Sequence, residues 1–424
     1  MFYYSFYLPY TFLPFLLIVF YLLFEKHFTK NWTIWIWWFF CIVLLAWVGW
    51  YAVQEGSSLY DFFKGYYHGG RKILRNPDEL YDTTCYGYTN FPLLAYLFAP
   101  LGNLDKSIAG IVFHIIGYIS LFPLGYWLVK LAELKSGYQY LILGLLAING
   151  PLDYSIWLGN TTHIVMLILV LALFFFKHGA DWASGIFLGL SGLIKLPLIF
   201  SSGYFFLRGK WKVVIGGLLI AISAVVLSLY FIPLSLNTIW LERCIFGTSG
   251  DPIPAYNNQS LSAFLARIFI PDNFSWKPVS PPLIYTQFAT VGNLLLYLPI
   301  LVILFLGRKS TKTPTMYIFE FSIVLTCSLL TSPISWSHYL VLLLIPVALY
   351  LGLDKKTPPS FWMYGLLAIS LILLSLPIQL TYAVFIQTGQ VSFLSMHFLG
   401  AITLYVFLLI TWWQIKAENK SLRQ

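Results

Sequence analysis

Charge is scarce in this sequence: Asp, Glu, Lys and Arg make up 10% of its 424 residues, where a soluble globular chain carries about 25%. That deficit excludes an ordinary water-soluble domain, and a hydrophobic content of 59% indicates a chain that lives in lipid. Cysteine is as rare. Four cysteines make no disulfide framework; Cys41 and Cys327 fall in apolar runs, which leaves Cys85 and Cys244 as the one pair able to bridge. No glycine loop ending in Lys and Ser or Thr occurs, which argues against ATP drive, and neither HExxH nor a Cys/His set of zinc spacing is present. The nearest carboxylate group, Asp78, Glu79 and Asp82, reads as the solvated end of a loop, so no metal is expected.

What the chain has in abundance is apolar sequence. Runs of about 17 to 25 residues, each long enough to cross a bilayer as a helix, follow one another from Phe6 almost to Trp413. The first, Phe6 to Phe24, lacks a basic start and a small-residue cleavage site and reads as a retained span. Lys and Arg in short loops resist translocation, and sixteen of the 25 gather in one alternate set of loops, with five of the 16 acidic residues. That set is cytoplasmic, and the net charge of +9 is a topology signal that needs no nucleic-acid partner.

The segment 183–207 has basic flanks at both ends and Lys195 and Pro197 at its middle, and reads as a hairpin of two short helices. With it the chain is one all-α polytopic membrane domain, 1–424, of about 12 to 13 helices. Its two large exoplasmic loops are residues 54–105 and 234–282, and the compact loops, with no obvious organelle signal, lead to the expectation of a bacterial inner membrane.

Polar islands break the apolar sequence, and they fall in the outer loops. "SLYDFFKGYYHGGRKILRNPDELYD", residues 58–82, places Asp61 after a span, with Tyr66 and Tyr67 beside it and Arg71, Lys72 and Arg75 at helical spacing. By itself it also reads as an amphipathic helix on the headgroups, its basic residues snorkelling. "WLGNTTHIV" opens a span with Asn160, Thr161, Thr162 and His163, residues that also suit a helix cap. Asn257, Asn258, Gln259 and Ser260 precede a short amphipathic run carrying Arg267; amides suit sugar hydroxyls, since each offers donors and an acceptor. "TSPISWSHYL", residues 331–340, presents Trp336 and His338 in a turn.

Taken in order, these islands resemble the polytopic GT-C glycosyltransferases, specifically glycosyltransferase family 87. The resemblance runs through Asp61–Phe62, Tyr66–Tyr67, Asn76–Pro77, Tyr81–Asp82 and Phe91–Pro92, then Gly159–Asn160, Lys195 with Pro197, Asn258–Gln259–Ser260, and Ser332 to His338. Ser337 stands where the family has Asp. The resemblance implies a GT-C helical bundle with exoplasmic catalytic loops. It implies an inverting enzyme that moves a hexose, most plausibly mannose, from a polyprenyl-phosphate sugar in the membrane to a hydroxyl of a lipid or glycan acceptor.

On that reading Asp61 is the catalytic base, aided by His338. Lys195, Arg267, Arg71 and Arg75 are candidates to hold the donor phosphate. Tyr66, Tyr67, Asn160, Asn258, Gln259, Ser260 and Trp336 are candidates for sugar or acceptor. The lipid-phosphate sugar is a co-substrate, and no cofactor is implied. A flippase for lipid-linked sugars is the alternative; it predicts ionisable residues deep in several spans, where only Lys195, Glu320, His114 and His163 approach that position.

Overall fold

The structure, a computed structural model, describes residues 31–54, 58–81, 87–248, 250–270, 274–306, 313–353 and 359–421. The expected first span, Phe6 to Phe24, and Asp82 and Cys85 lie outside them. The described residues form helices throughout, with one isolated bridge between Asn258 and Trp336. Helix is what lipid demands, because it satisfies every backbone N–H and C=O within its own segment.

Among the described residues, five helices are long and apolar enough to cross a membrane: Lys106–Ala132, Trp211–Phe231, Leu283–Leu306, Pro314–Thr331 and Val391–Glu418. Two bent pairs, Ser136–Ala147 with Gly150–Leu158 and Phe361–Ser375 with Ile378–Thr388, raise the number to seven. Shorter apolar helices, Asp181–Ile194 and Pro197–Leu207 among them, account for part of the larger number expected from hydropathy.

Burial separates these helices by role. Trp211–Phe231 and Leu283–Leu306 leave most of their surface uncovered and present Leu, Ile, Val and Phe to lipid, whereas Pro314–Thr331 is largely enclosed. Glu320 in that enclosed helix accepts a 3.0 Å hydrogen bond from Trp412 Nε1. A buried carboxylate with such a donor is a structural group, which suits the enzyme reading better than a transport path.

The chain divides into two compact units. One comprises Met1–Cys41, Gly125–Tyr154 and Pro252–Gln424; the other comprises Ile42–Leu124 and Ser155–Asp251. In the second, the polar island after the first described span folds as a π-helical turn, Phe62–Tyr67, running into a helix, α1 (His68–Arg75), which lies against α2 (Leu94–Gly102). Glycine permits the contact: a Cβ on Gly70 would fall 2.3 Å from the Phe98 carbonyl oxygen, and one on Gly102 would fall 2.5 Å from Arg71 N. With that face buried, Arg71 and Arg75 point outward and are exposed.

Also in the second unit, Lys195 occupies the break between α3 (Asp181–Ile194) and α4 (Pro197–Leu207). Pro197 cannot donate to a continued helix and is favoured at a helix start, so the chain stops and restarts there. In the first unit, the Ser260 hydroxyl accepts from Ala263 N at 3.1 Å and caps α5 (Leu261–Phe269).

Candidate active site

Asp61 follows a strained turn. Leu59 has φ of 66°, a left-handed conformation that costs a residue with a Cβ about 1 to 2 kcal/mol, and its N–H donates to Trp157 O at 2.7 Å. The partner segment is equally constrained: Gly159 has φ of +67°, and a Cβ there would lie 2.6 Å from Phe62 Cβ. Gly159 N–H bonds Ile156 O and Asn160 N–H bonds Ser155 O, a glycine-closed helix end that brings Asn160 to Asp61.

Asn160 is the centre of the cluster. Its Nδ2 donates to Asp61 Oδ2 at 2.8 Å, while its Oδ1 accepts from Lys195 Nζ and from Thr162 Oγ1, both at 2.9 Å. An ammonium can only donate, so the lysine fixes the amide with its NH2 toward the carboxylate. Behind it, Ser155 Oγ donates to the Asn160 carbonyl at 3.3 Å and lies 3.0 Å from His163 Nδ1. Burial of the half-covered Asp61 carboxyl pushes it above the usual carboxylate range; the Asn160 hydrogen bond, then Lys195 and Lys64, pull it back. A carboxylate with Oδ2 held by the Asn160 amide is a competent proton acceptor fixed in direction.

The neighbouring tyrosines have other work. Tyr66 stacks on Phe98 with ring centroids 4.6 Å apart, and its hydroxyl lies 3.1 Å from Thr161 Oγ1. Tyr67 donates to Leu104 O at 3.0 Å. Both are buried, so they wall the turn that carries Asp61 and present no open ring face to a sugar. Arg71 and Arg75 stand exposed along α1 and make no part of the Asp61 hydrogen-bond cluster. Asp78 and Glu79 are exposed in the following 3-10 turn.

A second cluster is built wholly within the other unit. Asn258 Oδ1 accepts from Ser335 N at 2.9 Å, and Asn258 Nδ2 donates to Ile253 O at 3.0 Å and Pro333 O at 3.3 Å. Gln259 Nε2 donates to Tyr256 O and Leu394 O, and its Oε1 accepts from Phe398 N. Arg267, 1% exposed, donates to the carbonyls of Ala255 and Asn258 at 2.9 and 2.8 Å and to Ser395 Oγ. These side chains spend their polar atoms on the loop itself. For Arg267, expected at a donor phosphate, and for Asn258, Gln259 and Ser260, expected at a sugar, the geometry is that of a scaffold.

That scaffold holds the 331–340 turn. Ser337, at the position where the resemblance implies Asp, donates through both N and Oγ to Asn257 O, at 2.7 and 3.0 Å. Trp336 pairs its backbone with Asn258, and buried His338 sits with its ring 6.1 Å from that of Tyr154. Sequence reasoning gave Thr161 and Thr162 as cap residues and Asn257 as one of the loop amides, and did not find Thr161 and Thr162 as partners of the Asp61 cluster or Tyr154 and Trp276 as partners of Asn257. In the last set Trp276 Nε1 donates to Asn257 Oδ1 at 3.0 Å and Asn257 Nδ2 donates to the Tyr154 hydroxyl at 3.1 Å.

The segment from residue 88 to residue 333, more than half of the chain, matches the family model of glycosyltransferase family 87. The chain belongs to glycosyltransferase family 87. The family match contains Asn160, Lys195 and the Asn258–Ser260 motif, and begins after Asp61. Among solved structures, the chain is similar to ArnT from Cupriavidus metallidurans bound to undecaprenyl phosphate, at 13% identity and TM-score 0.43, covering 88% of this chain and 76% of that one. The apo state of the same protein is similar at 14% identity and TM-score 0.36, covering 87% and 76%. No curated protein sequence matches.

Proposed function

We propose that this family 87 protein transfers a hexose, mannose in the first instance, from a polyprenyl-phosphate sugar to a hydroxyl of a lipid or glycan acceptor. The reaction takes place on the exoplasmic face of a bacterial inner membrane. The observation that carries the reading is the Asp61–Asn160–Lys195 hydrogen-bond chain, a directed carboxylate within a chain whose family moves sugars.

The reaction needs one base. The acceptor O–H gives its proton to Asp61, whose Oδ2 is held by Asn160, and the oxygen attacks C1 of the donor sugar. The C1–O bond to phosphate breaks in line, the anomeric centre inverts, and polyprenyl phosphate departs. Phosphate leaves readily, so the second carboxyl of a glycosidase pair is unnecessary. Lys195, whose ammonium is fixed on Asn160, favours the ionised Asp61 and the negative charge that develops as phosphate leaves.

Two observations support the exoplasmic assignment. Lys and Arg concentrate in the alternate loops, and Cys244, in the 234–282 loop, is disulfide-bonded, as suits an oxidising compartment. The purified protein in lipid, given synthetic polyprenyl-phosphate mannose and a panel of lipid and glycan acceptors, is expected to form a new glycoside of inverted configuration, read by mass spectrometry and NMR. Movement of the donor between leaflets with no new glycosidic bond would replace the transferase with a flippase.

A further inference from the structure

We propose that His163 is a positioning residue: through Ser155 it fixes the backbone of the turn that carries Asn160, and so holds the Asn160 amide on Asp61. The proposal rests on the transferase reading above and adds a residue to its machinery.

Asn160 needs such a restraint. Its side chain joins Asp61 to Lys195, so a shift of its backbone lengthens the 2.8 Å hydrogen bond to Asp61 Oδ2. The residue before it, Gly159 at φ of +67°, has the widest choice of backbone conformation and does not fix the turn by itself. The hold comes from Ser155, which engages both backbone groups of Asn160. Ser155 O accepts from Asn160 N–H at 2.8 Å, and Ser155 Oγ donates to Asn160 O at 3.3 Å.

That hydroxyl has one proton. A carbonyl can only accept, so the proton lies toward Asn160 O, and His163 Nδ1, 3.0 Å from Oγ, is the donor to Ser155. The direction runs from His163 N–H to Ser155 O–H to Asn160 C=O, each bond polarising the next. The ring is buried on the helix Thr162–Lys177, seated against Gly117, where a Cβ would lie 3.1 Å from His163 Nε2. His163 Nε2 has no hydrogen-bond partner among the described residues. An aliphatic side chain would be buried there without that cost, so packing does not account for a histidine, whereas the bond from Nδ1 does. His114, on the helix Lys106–Ala132, adds a second hold on the same turn, its Nε2 3.3 Å from Ile156 O. All of these residues belong, with Asp61 and Lys195, to one compact unit.

The test uses the full-length protein in lipid: the parent, Ser155→Ala, His163→Leu, His163→Asn and the double variant of Ser155→Ala with His163→Leu. Two quantities are read beside a melting curve: glycoside formation across pH, and the protonation midpoint of Asp61 from carboxyl infrared bands, by difference against Asp61→Asn. The other titratable groups around Asp61, namely Lys195, Lys64 and Tyr66, are the same in every variant. In His163→Leu and Ser155→Ala the looser Asn160 bond should move the midpoint and the acid limb of kcat to higher pH. In both, kcat should fall by roughly two- to tenfold with donor and acceptor KM unchanged. The double variant should match Ser155→Ala, because the histidine acts through that serine. Asn carries an amide N–H near the place of Nδ1, so His163→Asn should restore most of the activity and the parental midpoint. A midpoint that stays at the parental value in His163→Leu and Ser155→Ala overturns the proposal, as does a double variant in which the two losses multiply. If His163→Leu does not fold, Ser155→Ala decides: a raised midpoint supports the proposal and a parental one overturns it. Midpoints that move as expected in proteins that form no glycoside would remove the transferase reading and leave the hold on Asn160 standing.

Discussion

Replacing Asn160 by Ala removes the amide that connects Asp61 to Lys195. The variant loses the 2.8 Å hydrogen bond to Asp61 Oδ2 and leaves Lys195 Nζ and Thr162 Oγ1 without their shared acceptor. A hydrogen bond to a charged group contributes about 1.5 to 3 kcal/mol, and 1.4 kcal/mol is about tenfold in rate, so kcat/KM should fall by roughly 10- to 150-fold. The pH profile separates this mechanism from a general loss of fold. Burial already raises the Asp61 carboxyl and the Asn160 hydrogen bond opposes that rise, so its removal moves the carboxyl further up.

Transfer needs Asp61 ionised, and therefore the acid limb of kcat/KM should move to higher pH in Asn160→Ala, with part of the activity returning above it. Stability runs the other way. A carboxyl with a raised folded-state pKa binds its proton more tightly when folded, so its contribution to stability falls as pH rises from the ordinary carboxylate value through the raised one. The assay is initial-rate glycoside formation across pH, with a melting curve at each point. An Asn160→Ala enzyme whose acid limb coincides with that of the parent would refute the argument that this amide tunes Asp61.

Other substitutions probe the parts separately. Gly159→Ala forces a Cβ into a left-handed position 2.6 Å from Phe62 Cβ and should lower the melting temperature and remove most activity, whereas Gly203→Ala, whose Cβ meets nothing within 4 Å, should do neither. Arg267→Met leaves the Asn258 carbonyl without its buried donor, at a cost of about 1 to 3 kcal/mol, while the Ala255 carbonyl keeps the Asn258 N–H; thermal unfolding in detergent should show the loss, and any folded fraction should keep the parental donor KM. Cys244→Ser should reduce stability by about 2 to 4 kcal/mol, read as a lower melting temperature that reductant reproduces in the parent.

Much of the fold was legible because lipid imposes it. Apolar runs, basic loops and the break at Lys195–Pro197 are local signals, and the break stands where the proline places it. Asp61, Asn160 and Lys195 were each identifiable as chemistry-bearing residues. Their connection was not, since 99 residues separate Asp61 from Asn160 and 35 separate Asn160 from Lys195 in the chain, and no local pattern encodes such a contact. Arg267 and the Asn258–Ser260 motif show what a linear pattern leaves out. Polar residues in an outer loop look available to a ligand, yet an irregular buried loop has many backbone carbonyls to satisfy, and these side chains satisfy them. The burial of Tyr66 and Tyr67 was hidden for a similar reason: the glycines that let α1 lie on α2 bury the turn before it.

The most direct test of the account compares the parent with Asp61→Asn, both reconstituted in lipid and shown by melting to be folded, for formation of glycoside from synthetic polyprenyl-phosphate mannose. The account predicts product from the parent and a loss of about 10²- to 10⁴-fold or more in the variant, the range expected for a positioned base. Turnover by a folded Asp61→Asn protein at the parental rate would contradict it.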